Sequence, residues 1–199
     1  MQFENKNQEL LDKYDEEERQ FALIGEALGD NEIPEPLLFD LVQKVSDSFI
    51  RDKICIQGTY NGLSKDEYVN GVRQKDPAYI YHLLGTVASI HYQIPMEKGF
   101  RKSLQYLLKA ANNGMICHNE IADCYSFLGD IDNQILVLNS VPEKFIKHKV
   151  YALTKLANIY MGTWKTQNIN ILEACRCLRK ADVLEKKIDK DVSSHQIVY

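Results

Sequence analysis

Leu84-Gly85-Thr86-Val87-Ala88-Ser89-Ile90-His91 sets a spacing that the chain uses three times. Reduced to its pattern it is Leu84-x2-Val87-Ala88-x2-His91. The same arrangement returns as His118-x2-Ile121-Ala122-x2-Tyr125 and as Leu153-x2-Leu156-Ala157-x2-Tyr160. The small residues Ala88, Ala122 and Ala157 fall 34 and 35 residues apart. Steps of three and four place these side chains on one face of a helix. A fixed period of this length marks stacked helical hairpins, each unable to bury its apolar face alone.

A second segment follows each copy: Ser103-x3-Leu107-x2-Ala110, Gln134-x3-Leu138-x2-Val141 and Ala174-x3-Leu178-x2-Ala181. The physical logic is packing. An alanine in the first helix lets the second approach closely, and the ring one turn later fills the gap beside the next hairpin. The expected first helices are 78–92, 116–127 and 148–161, with partners at 101–113, 131–140 and 169–186.

Residues 78–182 resemble tetratricopeptide and Sel-like repeats. Lys109-Ala110-Ala111-Asn112-Asn113-Gly114 is similar to the end of a Sel-like second helix, and Leu156-Ala157-Asn158-Ile159-Tyr160-Met161-Gly162 to its first helix. The middle copy is closer to tetratricopeptide length, with Pro142 near that family's terminal proline. The family's tryptophan position holds Leu84, His118 and Leu153, and its glycine is alanine throughout. The resemblance implies an all-α solenoid that holds another protein.

Upstream, Leu10, Leu11, Tyr14, Phe21, Ile24 and Leu28 form a helical stripe over 8–28. Pro34 and Pro36 set the next start, and Leu37, Leu38, Leu41, Val42, Val45 and Phe49 line one face of a second helix. Residues 55–63 are turn-like. Ser64-Lys65-Asp66-Glu67 reads as a capping box, with the Ser hydroxyl accepting from a backbone N–H and Glu67 reaching back. Asp76-Pro77 opens the next helix, where proline sacrifices no hydrogen bond. The expected organisation is a helical extension or cap at 1–76, three hairpins at 77–188 and a tail at 189–199.

Composition narrows the function. The 199 residues carry a formal net charge of −4, are 45% hydrophobic and include 10 Gly and 5 Pro. No basic face for phosphate neutralisation stands out, so nucleic acid is not the expected partner. Asp15, Glu16, Glu17 and Glu18 read as a solvated helix face. No apolar run of about 20 residues suits a bilayer, and the N-terminus, with Glu4, Glu9 and Asp12, is not expected to be a signal peptide. The expectation is a cytoplasmic protein that binds a protein or peptide, with no membrane association. A homodimer and translocation into a host cell stay open.

Five cysteines, Cys55, Cys117, Cys124, Cys175 and Cys177, form neither a disulfide framework nor a zinc spacing. Buried free thiols are expected, with Cys55 the most reactive. There is no phosphate loop, nucleophile elbow or His-Glu-x-x-His pair. No cofactor, metal or catalytic residue is assigned, and the protein is not expected to be an enzyme. The alternatives kept open are a pathogen effector or effector regulator acting on a host protein, and an enzyme with a site where the N-terminal helices meet the repeats.

The repeat register also nominates a surface. Positions beside the small residue line the inner face of a tetratricopeptide superhelix. They are His82, Ser89, Tyr92 and Gln93 in the first copy. The second contributes Asn119, Asp123 and Ser126, and the third Tyr151, Thr154, Asn158 and Met161. Amides and tyrosines suit recognition of extended peptide. Gly85, Asn119 and Thr154 stand where a chaperone-carboxylate clamp would need cations, which disfavours that activity.

Overall fold

The computed structural model describes residues 2–29, 33–54, 64–90, 94–162 and 169–195. Among these the chain is all-α, without a strand. In order come α1 (Gln2–Gly29), α2 (Glu35–Lys44), α3 (Asp47–Phe49), a π-helical stretch (Ile50–Ile54), α4 (Lys65–Arg73), α5 (Pro77–Ile90), α6 (Met96–Asn112), α7 (His118–Phe127), α8 (Ile131–Ser140), α9 (Ile146–Tyr160) and α10 (Ile171–His195). The chain divides into two compact units between Cys117 and His118. The N-terminal helices therefore share a unit with α5 and α6 rather than ending at residue 76. The last helix runs past 189, through a segment expected to be a tail.

The first unit is built on α5 against α6, with α1 and α4 packed on α5 and with α2 packed on both α1 and α4. Ile24, Leu28, Val42, Phe49, Val72, Ile80, Leu83, Leu84 and Val87 are buried. Ala88 is buried as expected, and its carbonyl lies against Gly99 of α6, where a Cβ would stand 2.6 Å from the oxygen. α4 starts with the capping box. Glu67 N donates to Ser64 Oγ at 3.1 Å, and Ser64 N to the Glu67 carboxylate at 2.5 Å. Ala78 N donates to Asp76 Oδ1 at 2.9 Å, so α5 begins where the Asp-Pro pair indicates.

The helix expected to run on to Phe49 breaks at Val45 and Ser46, both extended. Tertiary contacts decide this. Ser46 N donates to Gln20 Oε1 on α1 at 2.8 Å, and Phe49 N donates to Ser46 Oγ at 3.1 Å. Arg73 on α4 donates to the carbonyls of Gln43 at 3.0 Å and Val45 at 2.5 Å, and through Nε to Asp47 Oδ1 at 2.7 Å. A planar guanidinium satisfies several groups left by the broken helix at once. Nothing local in the sequence announces a cap 28 residues downstream.

In the second unit α7 packs on α8, α9 on α10, and α9 also on α8 and α7. Ala122, Leu138, Val141, Ala152, Leu153, Leu156, Ala157, Ile159, Ala174, Cys177 and Ala181 form one core. Ala122 and Ala157 are fully buried, as the repeat spacing requires. The partner segment Gln134, Leu138, Val141 is buried in full. In α10 the face is shifted by one residue: Ala174, Cys177 and Ala181 are buried, whereas Leu178 is exposed. The spacings 174–177–181 and 174–178–181 both follow a helix, and packing chose the first.

Glycine ends α6 where the repeat motif places it. Gly114 has φ +98°, Gly114 N donates to Ala111 O at 3.0 Å and Met115 N to Ala110 O at 3.0 Å. This pairing of bonds is a Schellman cap, which needs the left-handed backbone that glycine adopts at least cost. Gly129, with φ +76°, ends α7 the same way.

Cys117, Cys124 and Cys177 are buried. Cys175 is exposed, correcting the expectation of a buried pair at 175–177. Burial pushes the Cys177 thiol up, with Glu173 adding to the effect. Cys55 lies outside the described residues. Among the four described thiols, Cys175 should be alkylated first by a neutral maleimide in the native state, with Cys177 protected until unfolding. Peptide mass spectrometry on a time course reads the order; Cys117 or Cys177 labelling ahead of Cys175 would contradict the packing.

Candidate functional site

The nominated surface residues separate by environment. His82 is buried on α5, with its Nδ1 2.8 Å from the Tyr68 hydroxyl and its ring edge-on to Tyr68. It ties α4 to α5 and does not face solvent. Gly85 is likewise a packing position, where a Cβ would stand 2.9 Å from Leu107 Cγ. Ser89 is half-buried and donates to Thr86 O at 2.8 Å. Tyr92 and Gln93 lie outside the described residues. These positions belong to the first unit.

The second unit brings several nominated residues together on α7 and α9. Asn119 at the start of α7 is buried and reaches His148, near the start of α9. One turn on, Asp123 is ion-paired with Lys155. Both links advance in the same direction along both helices, so α7 and α9 run side by side in the same sense. Lys155 Nζ also stands 4.6 Å from the centroid of the Tyr151 ring. Its side chain is only 15% exposed, against 43% for that of Asp123. The lysine is thus the buried half of the pair, and it holds a carboxylate and an aromatic ring at the surface. Lys155 was missed from the sequence because lysine is normally read as a solvated side chain. Its place three residues after Ala152, on the turn facing Asp123, was the available signal.

Tyr151 and Met161 are 41% and 40% exposed, large side chains that the core does not use. Thr154 is exposed, with its hydroxyl donating to Val150 O at 3.0 Å. Ser126 and Asn158 are half-buried. Asn119 is corrected from a surface group to an inter-helix link.

Electrostatics differ along the seam. Burial pushes the Asp123 carboxyl up from its ordinary value, Lys155 pulls it back, and Glu120 adds to the rise. Burial pulls His148 down, opposed by Glu120 and reinforced by His118. His118 is also lowered, by burial first and by Lys149 after Glu120's opposing effect. Among the described residues no group of three or more His, Cys, Asp or Glu is arranged to hold a metal ion.

No family model, curated protein or solved structure matches this chain. The functional reading therefore stands on the residues and their geometry. Among the described residues no helix is long and apolar enough to cross a membrane.

Proposed function

We propose that the chain is a helical-repeat protein of the tetratricopeptide or Sel-like kind, whose α7–α9 surface binds an extended segment of a protein partner. The observation that carries this reading is the Asp123–Lys155–Tyr151 group. A partly buried lysine fixes an ion pair and a ring on adjacent first helices, and α9 also exposes Thr154 and, at its end, Met161. Ring, thioether and amide side chains displayed on rigid helices combine apolar contact area with directional hydrogen bonding. The 34- and 35-residue periodicity and the like direction of α7 and α9 support the repeat assignment. On this reading the protein works in a reducing compartment as an adaptor, chaperone or regulator, without catalysis or cofactor.

The test compares wild type with the double variant Tyr151→Ala, Asn158→Ala as bait in native lysate. Both side chains sit largely outside the core, so the melting temperature should stay within about 2 °C of wild type. A partner retained by wild type should bind the variant at least about tenfold more weakly, since truncated aromatic anchors cost about 1–3 kcal/mol each. Equal affinity of the two baits for every retained protein would remove the α7–α9 surface from the proposal.

A further inference from the structure

We propose that the Asn119–His148 contact is a proton-sensitive latch, joining α7 to α9 while the imidazole is neutral and releasing them when it takes up a proton. The geometry carries this. Asn119 Nδ2 lies 3.4 Å from the backbone carbonyl oxygen of His148 and 3.3 Å from the same residue's Nδ1. A carbonyl oxygen only accepts, so the amide must present its NH2 group to His148. The NH2 only donates, so Nδ1 must offer a lone pair, and the neutral ring carries its proton on Nε2.

Protonation puts a hydrogen on Nδ1 and turns this contact into donor against donor. Rotating the amide does not rescue it. Asn119 Oδ1, buried and without a hydrogen-bond partner, would then face the imidazolium, but it would also face the His148 carbonyl oxygen. The carbonyl anchors one amide orientation, and that orientation matches one charge state of the ring.

Burial favours neutrality. His148 is 2% exposed and Asn119 5%. From α7, His118 adds like charge when protonated, and Glu120 is the opposing carboxylate. On α9 itself Lys149 follows in sequence, donating to Asn139 O of α8 at 3.0 Å, with Glu143 of the preceding turn and Lys180 and Cys177 of α10 acting on it. Lys144 lies 5.0 Å from the centroid of the Phe145 ring, whose edge in turn meets His148. The charged groups around the seam are thus His118, Lys144, Lys149 and Lys180 on one side and Glu120 and Glu143 on the other. Both histidines are displaced downward by burial, the largest cause, against the opposing pull of Glu120.

The sign follows directly. A histidine held below its ordinary value binds fewer protons folded than unfolded. Its full contribution to stability is present above about pH 6.5 and diminishes as pH falls through that value towards the folded one. Because the latch spans α7 and α9, the loss should be local.

The test uses the full chain with no partner, so it stands or falls independently of the binding reading. Hydrogen exchange, corrected for the intrinsic rate, is compared at about pH 7.5 and about pH 5.5. Protection in 118–127 and 146–155 should fall at least about tenfold more than in 80–88 and 103–110. NMR should show His148 titrating below the free-histidine value. Asn119→Asp brings a full negative charge whose attraction for the imidazolium outweighs the repulsion from the His148 carbonyl that defeats the rotated neutral amide, so its seam should be at least as well protected at low pH as at high. Seam protection that is independent of pH, or lost equally in α5 and α6, overturns the latch. So does a His148 titration at the free value, which decides the matter even if Asn119→Asp fails to fold.

Discussion

Gly99→Ala should destabilise the protein by about 1–3 kcal/mol, the usual range for overpacking a tight contact. Helix propensity alone gives the opposite sign. Gly99 lies in the first turn of α6, and alanine is favoured over glycine in a helix by about 1 kcal/mol. Tertiary contact decides between them. A Cβ at residue 99 would stand 2.6 Å from the backbone oxygen of Ala88. No rotamer change moves a carbonyl at a helix–helix crossing, so α5 and α6 would have to separate, exposing Val87 and Ala88. Gly29, at the end of α1, is the control, because a Cβ there meets nothing within 4 Å. Gly29→Ala should be neutral or slightly stabilising. Urea unfolding reads both, with an unchanged slope and a lower midpoint expected for Gly99→Ala. A raised midpoint would show that the two helices are not in such close contact.

Ala122→Leu should also cost about 1–3 kcal/mol, by overpacking the second unit. Ala122 has no exposed surface and shares a core with Leu138, Leu153 and Leu156. Leucine lowers helix propensity only slightly but adds three carbons where dense interiors leave no room. The neighbouring elements cannot give way independently, because α7 packs on both α8 and α9. Thr154→Leu places the same leucine side chain at an exposed position and should change stability by no more than about 0.5 kcal/mol. A midpoint for Ala122→Leu equal to that of Thr154→Leu would mean that the periodic alanine does not mark a helix crossing.

Both substitutions separate what periodicity can reveal from what it cannot. Ala122 was legible, since a small residue recurring every 34 or 35 positions beside large apolar ones has a packing explanation from the sequence alone. Gly99 carries no such mark. Its role exists because the Ala88 carbonyl happens to approach it across the hairpin. Leu178 shows the same limit within a helix, where two faces satisfy the spacing and the core selected Cys177.

The candidate surface was legible only in part. Asp123, Tyr151, Thr154 and Asn158 lie on the helices that the register assigns, on or near the α7–α9 face. His82 and Asn119 fit the same register but are buried. A register specifies angle around a helix, and burial depends on which helix arrives beside it. α4 brings Tyr68 onto His82, and α9 brings His148 onto Asn119.

By itself the sequence determined the all-helical class, the helix starts at Ser64 and Pro77, the glycine stop at Gly114, and the buried alanines. Each rests on bonds or packing steps spanning a few residues, or on a period that repeats them. Tertiary structure alone decided the break at Val45–Ser46, the partners of Arg73, the pairing of Lys155 with Asp123, the division at Cys117–His118, and the donor–acceptor match between Asn119 and His148. These join groups 26 to 32 residues apart, or whole elements. At such separations local spacing carries no information about distance, and only the packing of whole helices sets which polar groups meet.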